Sequence, residues 1–234
     1  MKNTRLLILF DLDGTLVNPE GAITGGIAAA LRSLGLPVPG ADDMRRMVGP
    51  ALVRSLVDIA GVPEDRVAEV IALYRAGYRM HGMAESSPYP GIVEAVRMLR
   101  DRGHRVGVAT QKPERLAREL LEIQGMTPLF ESIHGAPNDE QAAALLDGKR
   151  TIIAAALAEH QGNFDHALMI GDRLHDIEGA AANGLECIAV QWGFGSMDEF
   201  TQAGAAAVVS SSAELVERVL AYAEPSQVVA HGRL

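Results

Sequence analysis

A single cysteine, Cys187, occurs among the 234 residues, so no internal disulfide can form. It stands in the apolar run Cys187-Ile188-Ala189-Val190 and is expected to be a buried strand residue rather than a nucleophile. The seven histidines are scattered, with none at metal-ligand spacing. Positive charge is short: Lys and Arg total 21 against 30 Asp and Glu, a net −9. That balance argues against nucleic acid or an anionic membrane as the main partner. No apolar stretch has the length of a signal peptide or a membrane span, and the expectation is a soluble cytoplasmic protein. No internal repeat is found.

Apolar residues, in contrast, make up 48% of the chain, ample for a core. The length suits one large domain, or one domain carrying an insertion. The organising stretch is Leu6-Leu7-Ile8-Leu9-Phe10-Asp11-Leu12-Asp13-Gly14-Thr15. Five consecutive apolar residues read as a strand buried on both faces. Directly after them stand two carboxylates spaced one apart, then a glycine that permits a sharp exit turn. Between 17 and 86 the pattern is helical, with no convincing strand: Ile23, Ile27, Leu31 and Leu34, then Met44, then Leu52, Leu56 and Ile59, then Val67, Val70, Ile71 and Tyr74. Strand and helix alternate from Pro88 onward. Helical faces carry Val93, Val96 and Leu99, then Leu116, Leu120 and Ile123 behind Pro113, then Ile152, Ile153, Ala156 and Leu157, then Ile177 and Ala180, with a last helix near 213–223. Short strands are expected at 106–109, 130–134, 167–170, 188–190 and 207–209. Residues 136–148 read as a loop, and the chain after Glu224 shows no periodicity. Alternation of this kind predicts an α/β fold with a parallel sheet covered on both faces.

Three of these strands end in a polar residue: Asp11, Thr110 and Asp172. In an open parallel sheet such ends meet at one rim, where ligands bind. There Asp11, Asp13, Asp172 and Asp176 would crowd together. Two unit charges about 4 Å apart repel by roughly 4 kcal/mol at an effective dielectric near 20. Several such pairs rival the net stability of a fold, about 5–15 kcal/mol. A divalent cation removes the problem, and oxygen-only ligands select a hard ion such as Mg²⁺.

Asp-x-Asp-Gly-Thr after an apolar strand resembles the first signature of the haloacid dehalogenase superfamily, most of whose members are phosphatases. Val108-Ala109-Thr110-Gln111-Lys112-Pro113 is similar to the second motif, with Gln111 where the subgroup more often has Asn. Gly171-Asp172-Arg173-Leu174-His175-Asp176 resembles the fourth. The resemblance implies a Rossmann-like three-layer core, residues 1–16 and 87–234, and an inserted all-helical cap domain, residues 17–86. It implies Asp11 as nucleophile, Asp13 as general acid and base, and Thr110 as a hydrogen-bond donor to a phosphoryl oxygen. Asp11, Asp13, Asp172 and Asp176 would hold Mg²⁺, Asp176 directly or from behind. For the lysine of the third motif two candidates stand, Lys112 and Lys149. Family spacing favours Lys149, just before the helix at 152–157, while Lys112 flanks the site. Leu12, Gly14, Thr15, Gln111 and Lys112 would line the phosphate.

Two further stretches, Glu20-Gly21-Ala22-Ile23-Thr24 and Met47-Val48-Gly49-Pro50, fit the phosphoglycolate phosphatase and 5′-nucleotidase-like subgroup, as does Trp192-Gly193-Phe194-Gly195. The last is read plainly as a loop packed near the rim. Gly49 and Arg45 are the cap candidates for substrate contact. Arg45, Arg46 and Arg54 are the nearest cations, and for at least two of them the plainer role is a solvated helix surface. The implied partner is a small-molecule phosphate ester, with no nucleic acid and no membrane, and monomer and homodimer are both open. Two alternatives stay in view: a phosphosugar mutase of the β-phosphoglucomutase kind, which shares the four motifs, and a non-catalytic phospho-ligand-binding protein on the same scaffold.

Overall fold

The strand Leu6–Phe10 (β1) is wholly buried, and its side chains divide between two cores. In the computed structural model, which describes residues 4–19, 21–139, 142 and 148–224, Leu6, Ile8 and Phe10 belong to one hydrophobic cluster. Leu7 and Leu9 belong to another. A two-residue alternation puts successive side chains on opposite faces of a strand, so a strand apolar at every position requires cover on both. That cover makes three layers.

Six strands form one parallel sheet in the order β5-β4-β1-β6-β7-β8. Beyond β1 these are Arg105–Pro113 (β4), Ser132–Ala136 (β5), His166–Gly171 (β6), Glu186–Val190 (β7) and Ala207–Val209 (β8). One face is covered by α6 (Ile92–Asp101), α7 (Glu114–Ile123) and α11 (Ser212–Ala223), through residues such as Val96, Leu120 and Leu215. The other is covered by α8 (Gly148–Glu159), α9 (Leu174–Ala181) and Phe200 of α10 (Met197–Ala203), with Ile153 and Ile177 inward. β1 lies between β4 and β6, so the ends carrying Asp11, Thr110 and Asp172 are neighbours.

Between β1 and α6 the chain folds into helices: α1 (Ala22–Ser33), α2 (Ala41–Arg46), α3 (Leu52–Arg54), α4 (Glu64–Gly77) and α5 (Met83–Glu85). Two π-helical turns, Ser55–Ile59 and Tyr78–Gly82, continue α3 and α4. Ile23, Ile27 and Leu31 of α1 and Val67, Val70 and Tyr74 of α4 are buried, as their spacing predicts.

Several expectations need correction. Val17–Asn18 (β2) and Ser87–Pro88 (β3) pair antiparallel, so the stretch from 17 to 86 is not free of strand. The two-residue ribbon ties the exit and return of the helical segment, and Tyr89 N–H donates to Leu16 O at 3.1 Å beside it. α10 was not expected, because a seven-residue helix with one buried side chain, Phe200, has no readable stripe. Ile123, the last residue of α7, is exposed, 53%, and the buried stripe is Leu116, Ala117, Leu120 and Leu121. Cys187 is a buried strand residue as expected, and burial pushes its thiol well up, which suits an inert side chain. Glu20, most of the span 136–148 and the chain after 224 lie outside the described residues. No described helix is long and apolar enough to cross a membrane.

Candidate active site

Asp11 and Asp172 stand just past the ends of β1 and β6, and Thr110 at the register break of β4. β1 delivers Asp11, whose N–H donates to Ile170 O at 2.9 Å on the neighbouring strand. The turn after it closes on itself, with Leu16 and Val17 N–H on Leu12 O and Gly14 N–H on Val17 O, all at 2.9 Å. On β4, the register with β5 breaks between Ala109 and Pro113. A break of this kind re-aims side chains beside active sites, and here it frees Thr110, Gln111 and Lys112 from the ladder.

Carboxylate oxygens of Asp11, Asp172 and Asp176 all lie within 4.8 Å of one another, and all three residues are buried. Lys149, at the start of α8, puts its Nζ 2.8 Å from Asp11 Oδ1 and 2.7 Å from Asp176 Oδ1, and donates to Ala109 O at 2.9 Å. Asp172 accepts from Thr15 Oγ1 at 3.1 Å and from Phe194 N–H at 2.8 Å. Asp176 Oδ2 accepts from Arg173 N–H at 3.0 Å in a capping box at the head of α9.

The cluster is walled by glycines. A Cβ on Gly14 would stand 2.3 Å from an Asp172 carboxylate oxygen, and Gly14 also holds φ at +88°. A Cβ on Gly193 would meet the same carboxylate at 2.3 Å. The loop carrying Trp192 and Phe194 thus packs at the rim as expected, with Trp192 Nε1 donating to Thr15 O at 3.0 Å.

Three buried carboxylates lie together, and one ammonium pairs with two of them, Asp11 and Asp176. Burial pushes the Asp172 carboxyl well above the usual carboxylate range, and Asp176 and Asp11 push it further, against the Phe194 N–H and Arg173. Asp176 is pushed up to about 6 by burial, against the pull of Lys149 and with Asp11 adding to the rise. Burial would lower the Lys149 ammonium, but Asp11 and Asp176 outweigh it and hold the group above its ordinary value. The donor set is oxygen only and short of positive charge, which fits a hard divalent cation.

Asp13 stands apart from that cluster. Its Oδ2 pairs with Lys112 Nζ at 2.8 Å, and its Oδ1 is buried without a hydrogen-bond partner among the described residues. Asp11, Asp13, Thr110, Gln111 and Lys112 form one wall of a cleft with about 510 Å³ of empty space, open to solvent. Ile23, Ile27, Val48, Gly49, Tyr74 and Arg75 line it from the helical segment. Two clasps join the walls: Gln111 Nε2 donates to Gly49 O at 3.2 Å, and an Arg173 guanidinium N–H donates to Val48 O.

The sequence profile of the haloacid dehalogenase-like hydrolases matches residues 8–190. The chain belongs to this family. A 5′-nucleotidase of Pseudomonas aeruginosa is 39% identical over 196 residues, 82% of this chain and 85% of that protein. The tyrosine-protein kinase PtkA of Mycobacterium tuberculosis is 37% identical over 211 residues, 90% of this chain and 70% of that one. Among solved structures, a predicted phosphatase from Clostridium acetobutylicum superposes with a TM-score of 0.82 at 32% identity, covering 94% of this chain and all of that one.

Within this member of the haloacid dehalogenase-like hydrolases, the expected residues divide into groups. Asp11, Asp172, Asp176 and Lys149 come together. The Asp13 carboxylate, expected with the metal ligands, faces Lys112 instead. Thr110 lines the cleft with its Oγ1 accepting from Lys112 N–H at 3.3 Å. It does not cap α7, whose cap position is Pro113. Gly14 and Thr15 back the Asp172 carboxylate rather than line the cleft, and the Leu12 side chain is in the core. Arg45 lies over the Phe194 ring at 5.4 Å, on a neighbouring surface depression with Arg46 and His175. The structure puts Arg75, not Arg45, in the cleft.

Sequence reasoning missed Tyr78, Arg75 and the clasp made by Arg173. Only Tyr78 had left a signal. It continues the buried face 67, 70, 74 by one more turn.

Proposed function

We propose that this protein is a divalent-metal-dependent phosphatase of small phosphomonoesters, with residues 17–86 acting as a cap over a core of 1–16 and 87–234. The observation that carries the reading is the seat of Asp11: a buried carboxylate at the cleft, paired with Lys149 through one oxygen and adjoining two further carboxylates. The names of the P. aeruginosa and C. acetobutylicum relatives support it.

Asp11, Asp172 and Asp176 would hold the cation, Mg²⁺ by the hardness of its ligands. When bound, it would neutralise charge on the phosphoryl oxygens. The Asp11 oxygen not held by Lys149 attacks phosphorus in line, the ester P–O bond breaks, and an aspartyl-phosphate forms. Asp13 gives a proton to the departing alkoxide, then takes one from the water that attacks the aspartyl-phosphate and releases phosphate. Thr110 and Lys112 line the cleft where the phosphoryl oxygens would lie. Lys149 keeps Asp11 in place between the steps.

The deciding experiment is phosphate release over a panel of phosphoglycolate, nucleoside monophosphates, sugar phosphates and p-nitrophenyl phosphate. At least one ester should be hydrolysed with Mg²⁺, and none with EDTA. Phosphate kept on the sugar would mark a mutase, and phosphate moved to a protein tyrosine would align the chain with PtkA. Either outcome overturns the proposal.

The raised carboxyls give a second check. A group whose folded pKa lies above its unfolded value stabilises the fold at low pH, and that stability is lost as pH rises through the folded value. For Asp176 the loss falls between its unfolded value near 3.8 and about 6, with Asp172 acting in the same direction. Added Mg²⁺ should therefore raise the melting temperature clearly at pH 7.5 and progressively less below pH 6. An increment independent of pH would place the ion elsewhere.

A further inference from the structure

We propose that Tyr78 is a positioning residue that orients the Asp13 carboxylate, through Lys112, for proton transfer to the leaving group. The proposal rests on the reading of Asp13 as general acid and base given above.

Tyr78 is 1% exposed and begins the π-helical turn Tyr78–Gly82. Its ring fills a site shaped for it: the Tyr74 ring lies 5.7 Å away, and a Cβ on Gly82 would stand 2.6 Å from the Tyr78 ring. A phenylalanine would satisfy that packing. The hydroxyl is the part packing does not explain, and a buried hydroxyl is costly unless bonded. It accepts from Lys112 Nζ at 2.9 Å, and the same Nζ sits 4.5 Å from the ring centroid. Lys112 is itself buried, and its Nζ reaches Asp13 Oδ2 at 2.8 Å. Burial and the Asp13 charge, against a Ser86 hydrogen bond and Arg75, hold the phenol well above its ordinary value, and its oxygen accepts from Lys112.

The result is a chain from the helical segment to the sheet rim: Tyr78 Oη, Lys112 Nζ, Asp13 Oδ2. It fixes one oxygen of Asp13. The other, Oδ1, is buried without a hydrogen-bond partner among the described residues, so the contact with Lys112 is what sets the plane of the carboxyl. A carboxyl held by one side has a defined direction, which proton transfer at about 2.6–3.2 Å requires. Because Tyr78 belongs to the segment that closes the cleft, Asp13 is fully oriented only when that segment is seated.

Proton donation matters for a poor leaving group and hardly at all for p-nitrophenolate, which departs without one. The test is kcat/KM, which reports the chemistry through the first phosphoryl transfer, for an alkyl phosphate and for p-nitrophenyl phosphate. Tyr78→Phe should lower kcat/KM about tenfold or more for the alkyl ester, a part of the 10²–10⁴ that general acid catalysis supplies. For p-nitrophenyl phosphate it should fall less than threefold. Lys112→Gln cuts the same chain from the core side and keeps the Tyr78 side chain itself. It should depress the alkyl-to-aryl ratio equally, even where both esters lose a common factor. An unchanged ratio in both variants overturns the proposal, whatever happens to stability. A wild-type protein that releases phosphate from neither ester removes the phosphatase reading itself, and that result is visible before any variant is made.

Discussion

Asp11→Asn should yield a folded protein that releases phosphate at least about 10³-fold more slowly than the wild type, since removing a nucleophile costs on the order of 10⁶-fold where it has been measured. The substitution is isosteric, so packing does not change. An amide nitrogen or oxygen does not attack phosphorus as a carboxylate does, and no other carboxylate takes its place: Asp172 is held by Thr15 and Phe194, and Asp176 by Lys149 and the Arg173 N–H. Stability should move the other way. The substitution takes one charge from three clustered buried carboxylates and leaves Lys149 paired with Asp176, so the metal-free variant should melt at or above the wild-type temperature at pH 7.5. Phosphate release and thermal unfolding, measured together, separate this outcome from simple damage. Residual hydrolysis within about tenfold of wild type would end the assignment of Asp11 as nucleophile.

Lys149→Met should produce the opposite pattern in stability. Lys149 is 5% exposed and ion-pairs with Asp11 and Asp176. Its stem runs against Gly179 of α9, where a Cβ would stand 2.8 Å from Lys149 Cγ. Methionine is unbranched and follows the same path, so the steric change is small. What is lost is the one positive charge among the three carboxylates. Breaking a buried ion pair by removing one partner costs about 3–5 kcal/mol, and each kcal/mol lowers the melting temperature of a chain this size by about 2–4 °C. A fall of roughly 6–20 °C in metal-free buffer at pH 7.5 follows from those figures. Mg²⁺ should restore part of it, and so should a shift to pH 5, where the raised carboxyls take up protons. Activity should fall at least about a hundredfold, the cost of removing one preorganised electrostatic partner. A variant that melts with the wild type would show that the charge balance of the cluster is wrong.

Much of this was legible in order along the chain. A run of five apolar residues can be stable only with cover on both faces, so Leu6–Phe10 announced a parallel α/β sheet and placed Asp11 at its rim. Helical stripes marked α1, α4, α6 and α8, because a 3.6-residue repeat is a local property. The preference for Lys149 over Lys112 came from the spacing of the family the chain resembles, and the structure seats Lys149 against Asp11 and Asp176. Other features had no local trace. β2 and β3 are two residues each and exist only because the chain leaves and re-enters the core at adjacent points. Gly193 stands in a run that was expected near the rim, but its contact with the Asp172 carboxylate, 21 positions earlier, has no local sign.

The division has one cause. Periodicity and composition record whether a side chain faces inward, since burial is a property of a face. They do not record what it meets there. Local pattern therefore sufficed for the layers, for the strand ends and for a cluster of acids at one rim. Which acid pairs with which lysine depended on stretches far apart in the chain, Asp11 with Lys149 138 positions on and Asp13 with Lys112 99 positions on, and on the helical segment closing over the cleft to bring Tyr78 to Lys112. The same closure put Arg75 in that cleft and left Arg45 outside it. Pairings of that kind are set by sheet order and by the seating of the helical segment, and no spacing within either segment encodes them.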